Sequence, residues 1–250
     1  MKRLLIASVL GGAAKTTSAV RLAEAWRKEG RTAAVAELSP WPTASLLRID
    51  DKVSVRSLEA PASEAAAAAR LKPIEADVVL LDAARLDDPT LLHWAPCCHA
   101  VLLTTRCDDF SLAALQGAWP LLEGLREANP DLEFLGFLPT MIQPGDDDGY
   151  SRLKAAARSY LIDHPIVYDA AERRRSQKSC FEGQDPLPAA LDRKSAESYA
   201  AAAATLATRL DLPAPKPVEE EAPKETGLFT RLWRKATAGV KRVRVEEASV

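Results

Sequence analysis

The sequence predicts a doubly wound α/β domain, a mostly parallel sheet with helices on both faces, over about residues 1–212. Three observations carry that prediction. Short apolar runs alternate with segments whose apolar residues recur at helical spacing. The chain opens on a strand, glycine loop, helix, strand order, a βαβ unit that makes parallel strands and a right-handed crossover the default. Its 250 residues, 47% hydrophobic and 27% charged, are enough for one sizeable core.

The elements follow in order. Arg3 to Val9 is a buried strand, and a helix from about Lys15 to Lys28 carries Val20, Leu22, Ala23 and Trp26 at helical spacing before Gly30 closes it. Thr32 to Glu37 is a second short strand, and Ser63 to Leu71 an alanine-rich helix. Asp77 to Asp82, DVVLLD, is a buried strand ending in an acid. Pro89 to Trp94 is a short helix, Ala100 to Thr105 a strand, and Ser111 to Ala128 a helix with a break at Pro120. Phe134 to Pro139 is a strand, Asp146, Asp147 and Asp148 a solvated loop, and Ser151 to Ile162 a helix. Ile166 to Tyr168 is a short strand and Arg193 to Leu210 a long terminal helix. Beyond Leu212 the composition changes: prolines and glutamates make residues 213–226 an extended linker, and residues 227–250 form a segment of different character.

Composition excludes several classes. A formal net charge of -2 excludes a uniformly basic nucleic-acid coat, and no apolar run approaches the ~18 residues of a membrane-spanning helix. The apolar run after Met1, Lys2 and Arg3 is too short for a signal peptide and lacks a small-residue cleavage site. Cys97, Cys98, Cys107 and Cys180 show no CxxC spacing and read as reduced cytosolic thiols. His99 beside Cys97 and Cys98 suggests a metal, but adjacent cysteines on a strand point to opposite faces, which favours a structural role.

The chemistry concentrates at Val9-Leu10-Gly11-Gly12-Ala13-Ala14-Lys15-Thr16-Thr17. A loop between a strand and a helix N-terminus aims backbone N–H groups at one spot, where the helix dipole favours an anion. Gly11, Gly12, Ala13 and Ala14 would wrap phosphate, Lys15 would supply a point charge to it, the Thr16 hydroxyl would bind magnesium, and Thr17 would reach the α-phosphate. The strict pattern GxxxxGK[ST] is not met, because Val9 and Ala14 occupy its glycine positions. A glycine turn capping an ordinary helix is the competing account. Asp82, at the end of its strand, is placed to hold magnesium through water.

GGAAKTT, the strands TAAVAE and DVVLLD, and the helix YAAAAATLATRL together resemble the ParA/MinD family, deviant Walker A ATPases of the SIMIBI class of P-loop proteins. The resemblance covers about residues 1–212 and implies ATP and Mg2+ as cofactors, a nucleotide-dependent homodimer, and the positioning of cargo. The family signature is KGGxxKTT, whose first lysine reaches a partner's phosphates; Leu10 stands at that position. The family's next strand ends DxD, where this chain has Glu37-Leu38-Ser39. Glu37 would still serve magnesium at longer reach, whereas Ser39 lacks the charge that polarises an attacking water. The departure implies an ATPase that hydrolyses slowly or not at all.

The tail is the second informative segment. On a helical wheel Leu228, Phe229, Leu232, Trp233, Ala236, Val240 and Val243 share one side, while Arg231, Arg234, Lys235, Lys241 and Arg242 occupy the other. An apolar stripe with an aromatic edge and a wholly cationic opposite face suits an anionic membrane surface. A partner protein, the chain's own domain or nucleic acid is the alternative occupant. This tail also resembles the membrane-targeting helix of that family, down to GLFTRLWRK.

Three functions stay open. The first is a nucleotide-dependent positioning or recruitment protein, cytoplasmic and peripheral on the inner face of the cell membrane, with an unknown partner or cargo. The second is a non-catalytic scaffold for a membrane machine. The third is a DNA-partitioning ATPase, for which the cluster Arg173-Arg174-Arg175-Ser176-Gln177-Lys178 would contact the backbone unless it is a solvated loop.

Overall fold

The computed structural model describes residues 1–39, 43–47, 50, 52–170 and 192–217. The basic cluster Arg173–Lys178, Cys180, the linker beyond residue 217 and the whole amphipathic tail, Leu228 to Val243 included, lie outside the described residues.

Six strands form one sheet: β1 (Lys2–Ala7), β2 (Ala33–Glu37), β3 (Ser54–Ser57), β4 (Val78–Asp82), β5 (Ala100–Thr105) and β6 (Glu133–Pro139). Their order is β3-β2-β4-β1-β5-β6, and every pairing is parallel. β1 is central, flanked by β4 in register Ile6↔Asp82 and by β5 in register Ala7↔Leu103. Strands buried on both faces need apolar residues throughout, which is why LLIA, VVLL and AVLL read as continuous runs.

Alternate residues feed two cores. Leu5, Ala7, Val79, Leu81, Val101 and Leu103 face α3 (Glu64–Leu71), α4 (Leu91–Trp94) and α6 (Ala118–Ala128). Leu4, Ile6, Val78, Leu80, Ala100 and Leu102 face α1 (Lys15–Lys28) and α8 (Arg193–Arg209). These two helices are joined by the Trp26 indole N–H, which donates to the Ala203 carbonyl at 2.9 Å. After α8 the chain returns along the end of α1. The Lys216 amide donates to the Gly30 carbonyl at 3.2 Å, and Arg31 donates to the Pro213 carbonyl at 2.9 Å. A Cβ on Gly30 would stand 2.0 Å from the Lys216 carbonyl oxygen. The first residues of the expected linker are therefore laid on the domain, and the compact unit runs Met1–Lys216.

Several sequence expectations are corrected. β3 and α2 (Ala44–Leu47) were not anticipated: β3 is a four-residue edge strand with mostly exposed side chains, and α2 is a single turn. The helix expected over 111–128 is two, α5 (Asp109–Ala114) and α6, hinged by a tight turn at Leu115–Gly117 rather than at Pro120. Pro120 lies in the first turn of α6, where a missing N–H costs no intrahelical bond. Asp146, Asp147 and Asp148 are no loop: they start α7 (Asp147–Ala157), where carboxylates suit the helix dipole. The expected strand at Ile166–Tyr168 is reduced to one bridge, Ile142 with Val167. Cys97 and Cys98 precede β5 on a turn, both buried, and the His99 Nδ1 accepts the Arg3 amide at 3.1 Å. Among the described residues no helix is long and apolar enough to cross a membrane.

Candidate functional site

The site lies at the carboxyl ends of the central strands, where open α/β sheets place ligands beside the strand at which the chain's direction of winding changes. Ser8 to Ala14 leaves β1 and enters α1 through two left-handed residues, Gly12 at φ 75° and Ala14 at φ 53°. The first conformation is free for glycine. The second is unusual for alanine, and it occupies the position where the strict phosphate pattern has glycine.

The loop is polarised by which of its groups are engaged. The Ser8 hydroxyl donates to the Leu10 carbonyl at 2.6 Å, the Thr140 hydroxyl donates to the Ala13 carbonyl at 3.2 Å, and the Ser18 amide donates to the Ala14 carbonyl at 2.8 Å. Among the described residues, none of the amides from Val9 to Ala14 donates to a backbone carbonyl at full hydrogen-bond geometry, the Gly11-Gly12 turn being only loosely closed. Carbonyls are tied down on the inner side, and N–H groups are left for whatever sits above. Gly11 and Gly12 are exposed, and a Cβ on either would meet nothing within 4 Å. An array of unengaged amides at a helix N-terminus is a nest for an anion.

Three side chains complete it. The Lys15 ammonium donates to the Ser8 hydroxyl at 3.1 Å. Burial pushes it below the ordinary lysine range, the Asp82 charge opposes that, and the Arg85 charge adds to it. Thr16, half-buried in the first turn of α1, stands beside Asp82, and Thr17 follows it. Asp82 is 1% exposed, yet neither carboxylate oxygen has a partner at hydrogen-bond geometry. Burial pushes its pKa up to about 7, with the Thr16 hydroxyl and Lys15 easing the charge and Glu37 raising it further. A buried carboxylate without donors is costly unless a cation or ordered water completes it.

Glu37 is used differently from the sequence expectation. It is fully buried at the end of β2, in register with Asp82. One of its oxygens accepts from the backbone amides of Thr43 and of Ala44, the latter at 2.9 Å, and the other from the Ser57 hydroxyl at 3.4 Å. It caps α2 and ties β2 to β3. Ser39 is half-buried just beyond β2. Sequence reasoning missed three residues here: Ser8, Thr140, and Arg85 three residues past Asp82. Small hydroxyls that stitch a loop carry no motif of their own. Arg85 is visible in the sequence only as a charge following a strand-end acid.

No family model and no curated protein matches the sequence. Solved structures do. A plasmid partition protein from Borrelia burgdorferi B31 bound to AMPPNP superposes with a TM-score of 0.67 at 14% identity, over 83% of this chain and 99% of that one. Apo McdA from Cyanothece gives 0.61 at 15% identity, over 82% and 99%. The septum site-determining protein MinD from Pyrococcus horikoshii OT3, complexed with Mg-ADP, gives 0.60 at 17% identity, over 82% and 95%. The fold is that of the ParA/MinD P-loop ATPases. At these identities the likeness establishes architecture, and the residue roles rest on the geometry above.

Proposed function

We propose that the chain binds ATP with Mg2+ at the loop Ser8–Thr17 and uses the bound state to position or recruit a partner. The observation that carries this reading is the loop itself: unengaged amides from Val9 to Ala14, the Lys15 ammonium beneath them, and a bare buried carboxylate at Asp82 beside Thr16. Three of the structural relatives contain AMPPNP, Mg-ADP, or ADP with magnesium, which supports the same ligand class. The residues present fit the cation. Thr16 and Asp82 would hold it, Asp82 through its water shell, and the Asp82 orphan oxygens are what such a shell would satisfy. The ion would neutralise phosphate charge. Gly11, Gly12, Ala13 and Ala14 bind through backbone amides, and Lys15 through its point charge. Ser39 lacks a carboxylate, so the chain orients water poorly, and turnover is slow or absent.

Calorimetric titration of Mg-ATP into wild type and Lys15→Ala tests the site. Wild type binds, and the variant loses at least tenfold in affinity; equal affinity eliminates phosphate recognition at this loop. Phosphate release from Ser39→Asp separates a slow ATPase from a non-catalytic scaffold: a rise of tenfold or more marks the missing charge as the limit, and no rise favours the scaffold.

We further propose that residues 227–250 tether the protein to the anionic inner face of the cell membrane, with a nucleotide-dependent homodimer presenting two helices at once. Support comes from the sequence pattern alone: an apolar side with Leu228, Phe229, Leu232, Trp233 and Val240, opposite Arg231, Arg234 and Lys235. Cosedimentation with anionic vesicles checks it, comparing the full chain with one ending at Pro217. Cutting there spares the Gly30–Lys216 contact that a stop at Leu212 would remove. Equal sedimentation of the two removes the tail from membrane binding, and binding only to double-stranded DNA favours the partitioning reading.

A further inference from the structure

Lys15 is the only basic residue between Leu4 and Val20, so the loop offers one side-chain cation to a polyphosphate carrying more charge than one ammonium neutralises. A second cation stands nearby. Arg85 lies in the turn leaving β4, and both ends of that turn are bonded to the stem of the loop. The Ala83 amide donates to the Ile6 carbonyl at 3.0 Å, and the Leu86 amide donates to the Ser8 carbonyl at 2.9 Å. The backbone on either side of Arg85 therefore moves with β1 and the start of the loop.

The present partner of Arg85 is weak by its surroundings. Its guanidinium forms a two-pronged pair with Asp87, at 2.8 Å for each bond, two residues away on the same turn. The two side chains are 54% and 48% exposed, and ion pairs so wetted hold loosely. Asp87 thus holds a planar fork in the turn beside the loop's stem, and that fork matches phosphate oxygens as well as it matches a carboxylate.

We infer that Arg85 is a terminal-phosphate sensor, which exchanges Asp87 for the outermost phosphate of a triphosphate held on the loop and so distinguishes ATP from ADP. The inference rests on the reading of Ser8–Thr17 as a nucleotide site and adds to it a residue that the loop pattern does not contain. Lys15 meets both nucleotides; Arg85 meets only the longer one. Asp87 is the partner that Arg85 gives up when the longer ligand binds.

The test is titration of the full-length protein with Mg-ATP and with Mg-ADP, in wild type, Arg85→Ala, Arg85→Lys and Asp87→Asn. Arg85→Ala is expected to weaken ATP by tenfold or more and ADP by less than about threefold. Arg85→Lys recovers only part of the difference, because an ammonium lacks the fork. Asp87→Asn, which leaves Arg85 in place, tightens ATP without changing ADP. Equal losses for both nucleotides in Arg85→Ala, or no loss for either, overturn the inference while leaving the loop as a nucleotide site. A wild-type protein that binds neither nucleotide overturns the site reading and the inference with it.

Discussion

Asp82→Asn is expected to make the nucleotide-free protein more resistant to unfolding above neutral pH. Burial raises the Asp82 pKa from 3.8 to about 7 in the folded state, while the unfolded chain keeps the ordinary value. Between those two values the folded state binds the proton that the unfolded state has released. Stability therefore falls as pH rises through that window and levels off above it. At about 1.4 kcal/mol per tenfold, the whole displacement corresponds to about 4 kcal/mol, of which about 3 is lost between about pH 5 and pH 8.5. For a body of this size that is a melting-temperature difference of about 6–12 °C. The asparagine variant carries no such titration. The Lys15 ammonium loses a counter-charge in the variant, a smaller effect because it is half-buried and keeps the Ser8 hydroxyl. The assay is thermal unfolding of both proteins without nucleotide or magnesium, at the two pH values, reading the difference of differences. Parallel pH profiles would refute the reasoning, since they would mean the Asp82 oxygens already have partners.

Other expectations follow from individual contacts. Glu37→Ala removes the acceptor of two amides and the Ser57 hydroxyl, and is expected to cost about 2–4 kcal/mol in urea unfolding. It should also lower the pH at which Asp82 titrates, because a neighbouring like charge has gone. Gly136→Ala places a Cβ 2.0 Å from the Tyr160 carbonyl oxygen at a φ of 124°, and is expected to lose more than about 2 kcal/mol by the same measurement. Ala14→Gly relieves a left-handed alanine at the entry to α1; relief of about 1 kcal/mol offset by glycine's entropy leaves stability within about 1 kcal/mol of wild type. A larger loss would mean that the Ala14 methyl group is needed for packing. Mg-ATP is expected to raise the melting temperature of the wild type and not of Lys15→Ala, following the binding linkage.

The sheet was legible because its central strands are buried on both faces, which makes LLIA, VVLL and AVLL uninterrupted apolar runs, and because glycine loops and helical segments alternate with them. β3 and α2 were not. In Ser-Val-Arg-Ser only Val55 packs against the core while its three neighbours are exposed, and α2 is held by a carboxylate from another strand rather than by its own sequence. Pro120 misled for a related reason: proline forbids a helix interior but is welcome in a first turn, and only tertiary packing decides which of the two it occupies. At the site, the glycines and Lys15-Thr16 marked the loop. What makes the loop electropositive, however, is the tying of its carbonyls by Ser8, Thr140 and Ser18, contacts that depend on chain returning from β6 and from α1 itself.

The two strand-end acids illustrate how environment divides roles that sequence leaves equal. Glu37 and Asp82 end adjacent strands in the same register and point to the same side of the sheet, and either reads as a magnesium residue. The longer side chain of Glu37 reaches past its strand end to the amides of Thr43 and Ala44, and its charge is satisfied there. Asp82 is one methylene shorter and lies next to Thr16, where no backbone amide reaches it. Burial, with the Glu37 charge adding to it, raises the Asp82 pKa, and the Thr16 hydroxyl offsets only part of the rise. A divalent cation brought to Asp82 would therefore relieve burial and like-charge repulsion together.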